Sequence, residues 1–150
     1  SFLWRFHKAH HLDTHVDVTT SLRFHPGELA LSYLVKSVWI LIWGPSLLGF
    51  LIFEALTTVY SQFHHSNIDF PDSIEHKLRW IHMTPRVHAS HHTVTERSRN
   101  ANFSTIFMVW DQIFRTFKKP DFEEMKHLGL QEGRESYLSP VAFLKAPFVS

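Results

Sequence analysis

At 150 residues and a formal charge of +1, the chain is one ordinary domain at most, and near-neutrality gives no argument for nucleic acid or an acidic substrate as partner. The absence of cysteine excludes a disulfide framework and a thiolate metal site, so any metal must be held by nitrogen and oxygen. Thirteen histidines, with 14 Phe and 5 Trp in a 44% hydrophobic composition, ask instead for a metal-ligand set and a lipid environment.

The chain opens on Ser1 with histidines almost at once, which reads as a fragment of something longer, and Trp4-Arg5-Phe6-His7 is no secretory signal. Phe2 to Thr20 is an amphipathic, histidine-bearing stretch, and Pro26-Gly27 after Phe24-His25 marks a turn. From Leu29 to Tyr60 the chain is strongly apolar, with Lys36 and Glu54 its only formal charges and Gly44-Pro45-Ser46 near its middle. A proline inside a helix removes a hydrogen bond and clashes with the preceding turn. The break leaves two arms, Leu29 to Trp43 and Ser46 to Tyr60, each roughly 22 Å long at about 1.5 Å per residue. A crossing needs about 20 apolar residues for a hydrocarbon core of about 30 Å. The arms therefore suit a hairpin that leaves the membrane on the side it entered. Arg5, Lys8 and Arg23 before it, and Lys77, Arg79, Arg86, Arg97 and Arg99 after it, place both flanks on the cytoplasmic side.

Beyond the hairpin, Gln62 to Pro71 reads as a loop or helix end, and Asp72 or Ser73 can cap a short helix running to Trp80. Pro85 suits the first turn of a helix carrying Arg86 to Thr93. Phe103, Ile106, Phe107, Trp110, Ile113, Phe114 and Phe117 repeat with a helical period, predicting a helix over 102–117 with one buried face. The tail, about 118–150, mixes charges with Gly and Pro and carries little chemical signal.

The chemistry lies in the histidines. His7-Lys8-Ala9-His10-His11 sets three imidazoles at i, i+3 and i+4, which share one face of a helix. His88-Ala89-Ser90-His91-His92 repeats that spacing. Two identical three-histidine faces can enclose one site, with His64-His65 at the exit of the hairpin and His25 at its entrance. His15, His76, His82 and His127 stand outside any motif and read as surface or hydrogen-bonded residues. A closed structural zinc needs only four ligands. Six to eight convergent histidines suit two metals with open positions, and a site without thiolates and poor in carboxylates points to iron redox chemistry. A non-catalytic membrane protein binding zinc or copper is the alternative. A membrane zinc hydrolase is weaker, since neither HxxHH carries an acid at the general-base position.

These residues resemble the fatty acid hydroxylase / sterol desaturase superfamily of membrane histidine-rich di-iron oxygenases. The resemblance runs from about residue 3 to 117. It includes Trp4 to His11, Leu22-Arg23-Phe24-His25-Pro26-Gly27-Glu28, Phe63-His64-His65-Ser66-Asn67, Thr84 to His92, Asn102-Phe103 and Trp110-Asp111. It implies an all-α, membrane-embedded protein whose short apolar hairpin, about 29–60, carries a cytoplasmic histidine-rich helical cap. The whole of 1–150 would form the C-terminal part of the domain. The metal ligands it implies are His7, His10, His11, His25, His65, His88, His91 and His92, holding two iron ions that activate dioxygen. It further implies a lipid or sterol-like substrate and an external electron donor of the cytochrome b5 or ferredoxin type. Two departures stand out. Related sequences commonly have Asn where His64 stands, and the histidine pair that precedes the first HxxHH in the family is absent. Hydroxylation and desaturation both fit the pattern. Asp13, Asp17, Glu28, Asn67, Asp69 and Asp111 are candidates to orient the outer imidazole nitrogens.

Overall fold

A computed structural model describes residues 2–131 and 139–148. They form short helices joined by turns, with no β-strand among the described residues and only isolated bridges, His82 to Phe107 and Thr93 to Leu128. Part of the tail reading, over 132–138 and 149–150, lies outside the described residues.

Helix α1 covers Trp4–His7, and the chain then tightens into a 3₁₀ turn at His10–Leu12. The first HxxHH is thus not on one α-helix. Lys8 and Ala9 keep right-handed helical angles between the two pieces, so the three imidazoles still gather on one side.

Helix α2, Pro26–Trp43, starts with Pro at its first turn, where the missing N–H costs nothing. It stops at Gly44, whose left-handed angles (φ 54°, ψ 46°) reverse the chain just before Pro45. Ser46 then caps α3, Leu47–His64, its hydroxyl accepting from the Gly49 N–H at 3.1 Å. Each arm has 18 residues, roughly 27 Å at about 1.5 Å per residue. No described helix is long and apolar enough to cross a membrane. The arms are nevertheless apolar around much of their circumference. Among the described side chains, α2 buries none and α3 buries only His64, while Leu41, Trp43, Leu47 and Leu48 stand more than two-thirds exposed. Exposed apolar side chains therefore run along both arms. Lys36 Nζ bridges the arms to Glu54 at 2.7 and 2.9 Å.

The remaining helices are α4 Asp72–Leu78, α5 Pro85–His91, α6 Glu96–Arg99, α7 Val109–Ile113, α8 Phe122–Met125 and α9 Pro140–Lys145. Helix α4 has no side-chain cap, because Pro71 precedes it and Asp72 turns to Arg86 instead. Thr84 caps α5 as the second HxxHH requires, accepting from Val87 N–H and donating to the buried Glu75 carboxylate. The helix expected over 102–117 shrinks to Val109–Ile113. Asp111 explains the loss. Its carboxylate accepts from the backbone N–H groups of Phe103 and Ser104 and from Thr116 Oγ1, which competes with helical pairing. Asn102 and Arg115 complete the departure with φ of 57°. The predicted buried face also fails, since Phe103, Trp110, Ile113 and Phe114 are exposed and Met108 is the buried apolar residue of the segment.

The apolar core is small. Met83, Val87 and Met108 pack together with Phe117 against them, and the other buried residues are mostly polar, with His10, His11, His25, His64, His65, His88, His91 and His92 among them. Burying polar rings is costly unless each finds a partner.

Candidate metal centre

The elements deliver seven of the eight expected ligand residues to one place. His7 ends α1, His10 and His11 sit in the 3₁₀ turn, His65 caps the end of α3, His88 and His91 lie on α5, and His92 caps its end. They sort into two groups. His10, His65, His88 and His92 form one and His7, His11 and His91 the other, each with its ligand nitrogens within 4.8 Å of one another. The groups are adjacent, since the rings of His11 and His92 stack with centroids 4.3 Å apart.

In the first group, His65 Nε2 lies 3.0 Å from both His10 Nε2 and His88 Nε2, and His92 Nε2 lies 3.2 Å from His88 Nε2. Protons alone do not account for this convergence. His65 Nδ1 is 2.7 Å from the Ser61 carbonyl, which can only accept, so that nitrogen carries the proton and Nε2 is a bare lone pair. One lone pair then faces two imidazole nitrogens, while Nδ1 of His88 and of His92 is buried without a hydrogen-bond partner among the described residues. A cation at the focus would resolve the arrangement. Donors about 2.0–2.1 Å from a common ion stand roughly 2.8–3.4 Å apart at octahedral to tetrahedral angles, a range that includes these three short spacings.

The second group is oriented from outside. His91 Nδ1 donates to the Ala101 carbonyl at 2.7 Å, and His7 Nδ1 meets Glu28 Oε1 at 2.6 Å. Both rings are thereby left with Nε2 as the ligand atom. His11 is fully buried and neither of its ring nitrogens has a hydrogen-bond partner among the described residues. Donors of this kind, imidazole nitrogen without thiolate, suit iron, zinc or copper.

Electrostatics keep the rings in their ligating form. Burial, reinforced by neighbouring imidazoles, holds His10, His11, His88 and His92 well below the ordinary histidine pKa. Burial also lowers His65, and brings His91 down to about 4. At neutral pH these rings are neutral and can donate to a metal.

His25 is not brought into either group. Its Nδ1 accepts from the Gly27 N–H at 3.0 Å as the cap of α2, and its Nε2 donates to the Leu144 carbonyl at 3.3 Å. Both nitrogens are thus engaged in holding the start of α2 against α9. His64 is buried with its ring 4.0 Å from that of His88, and its Nδ1 donates to the Thr105 carbonyl. His15, His76 and His82 lie outside both groups, against Thr14, Arg79 and Tyr60 respectively, and His127 lies outside them as well.

Of the acids expected to orient the rings, Glu28 alone reaches a ring nitrogen of either group among the described residues. Asp13 binds Thr20 and Arg23, Asp17 binds Thr19, Asp69 binds Arg86, and Asp111 shapes the loop that carries the Ala101 carbonyl. The main-chain acceptors Ser61 and Ala101 carry no signal in sequence, because every residue has a carbonyl.

Comparison with known proteins places these features in context. The fatty acid hydroxylase family model matches residues 1–116. An ornithine lipid hydroxylase of Rhizobium tropici is 29% identical over 128 residues, covering 85% of this chain and 38% of that protein. An alkylglycerol monooxygenase of Caenorhabditis elegans is 23% identical over 139 residues, covering 91% of this chain and 26% of that protein. The chain thus spans well under half the length of either relative. No solved structure matches it.

Proposed function

The chain belongs to the fatty acid hydroxylase family, and from that premise we propose that it forms the histidine centre of a membrane di-iron oxygenase that hydroxylates a lipid, with dioxygen as co-substrate. The observation that carries this reading is the convergence of His10, His65, His88 and His92 beside His7, His11 and His91. Two iron ions held there would supply the oxidising power that an unactivated C–H bond demands and that acid–base chemistry lacks. Hydroxylation is preferred to desaturation because the two relatives are described as a hydroxylase and a monooxygenase. Electrons would come from an external donor of the cytochrome b5 or ferredoxin type.

The chain's own residues divide the remaining work. Ser61, Ala101 and Glu28 fix the outer nitrogens of His65, His91 and His7, so that the rings need not reorganise during turnover. Burial of His10, His11 and His92 keeps bulk water from the nitrogens. The apolar arms α2 and α3 would lie in the bilayer and present the lipid chain to the centre at their open end. Incubation of the protein, in its host membrane with isotope-labelled dioxygen, should place the label in a lipid hydroxyl group. A lipid profile unchanged by deleting and restoring the gene would overturn the reading.

The hairpin reading also predicts sidedness. The chain has no cysteine, so single cysteines at Thr14 and Thr95 report cleanly. In sealed vesicles with the outside surface exposed, an impermeant thiol reagent should label both only after the membrane is opened. Labelling of one from each side would contradict a shared cytoplasmic site.

A further inference from the structure

His7 differs from the other members of the two groups. It is partly exposed, at 32% of its side chain, and its outer nitrogen faces a carboxylate, Glu28 Oε1, at 2.6 Å. The outer partners of His65 and His91 are neutral carbonyls. Glu28 is itself tightly placed. It lies in the first turn of α2, where unpaired N–H groups and the helix dipole favour negative charge. Among the described residues its second oxygen is buried without a hydrogen-bond partner, and the carboxylate's one hydrogen bond is to His7. The turn that carries it is fixed on two sides. His25 caps it through Gly27 N–H, and the missing side chain of Gly27 admits the buried Phe6 ring, which a Cβ there would approach to 2.5 Å. Phe6 directly precedes His7, so the contact that seats α2 on α1 also sets the register between carboxylate and imidazole.

We propose that Glu28 is a positioning residue for His7. It holds the proton on Nδ1, aims Nε2 toward His11 and His91, and by its charge makes His7 a stronger donor than an imidazole backed by a carbonyl. The ion of the second group would then be the more dependent on Glu28, and the ion of the first group nearly indifferent to it. This rests on the reading of the two groups as metal ligands.

Cobalt(II) is a suitable probe, because its d–d absorption reports the ligand field directly. The protein purified from membranes, stripped of metal and titrated with cobalt, should take up two ions. In Glu28→Ala one ion should bind roughly 10- to 100-fold more weakly with an altered d–d spectrum, while the other binds as before. Glu28→Gln, which keeps shape and a hydrogen-bond acceptor but loses the charge, should fold normally and show the spectral change with a smaller loss. Glu28→Asp should restore the spectrum in part. An unchanged titration and spectrum in Glu28→Gln would overturn the proposal, as would equal weakening of both ions with a lowered melting temperature, the mark of a merely structural role. Failure of the unaltered protein to bind cobalt at all would instead overturn the metal reading beneath it.

Discussion

Replacing His10 or His91 with alanine should abolish the hydroxylated product and release metal, whereas His127→Ala should leave both intact. His10 sits in the first group with its ring stacked on Phe24 at 4.8 Å, and its Nε2 is 3.0 Å from that of His65. His91 belongs to the second group and is locked by the Ala101 carbonyl. Loss of a residue that merely orients a ligand costs roughly 10- to 100-fold in metal affinity or activity, so loss of the ligand itself should cost about a hundredfold or more. His127 lies outside both groups, so its removal takes nothing from the site. Product assays and metal content measured on the same preparations check the expectation. Equal tolerance of all three replacements would refute the ligand assignment.

The second large effect concerns Lys36 and Glu54, the only formal charges within the apolar stretch. Their separation of 2.7 Å means one thing in water and another in lipid. An exposed pair contributes about 0–1 kcal/mol, so in a solvated hairpin either single replacement would pass almost unnoticed. In hydrocarbon, removing one partner leaves an uncompensated charge and costs roughly 3–5 kcal/mol, while replacing both with apolar residues is close to neutral. With the arms in the bilayer, Lys36→Met and Glu54→Leu should each sharply reduce the folded yield and thermal stability of the membrane-extracted protein. The double variant should recover both. Harmless single replacements would show that the arms face water.

What could be read in the sequence was local. The Gly44-Pro45-Ser46 break became a helix stop and restart because glycine, proline and serine each impose their conformation within a residue or two. Thr84-Pro85 opened α5 for the same reason. The two HxxHH motifs kept their imidazoles together even where the first left the α-helix, since a 3₁₀ turn is only a tighter winding of the same hand. What escaped was set by distant partners. His25 caps α2 through Gly27 while its other nitrogen donates to Leu144, far along the chain, a partner that no local reading supplies. The 102–117 segment carried a helical period that Asp111 overrode by binding backbone N–H groups, a choice invisible to a count of apolar residues. Glu28 was one candidate among six polar residues, and its contact with His7, in a register set by the packing of Phe6 against Gly27, singles it out.

The central claim is that the histidines hold two metal ions for redox chemistry, and metal analysis tests it most directly. Protein purified anaerobically from membranes and reconstituted with ferrous iron should carry about two irons per chain, because the donor set exceeds the needs of one ion. A single tightly held zinc, with no iron bound even after anaerobic reconstitution, would contradict the account.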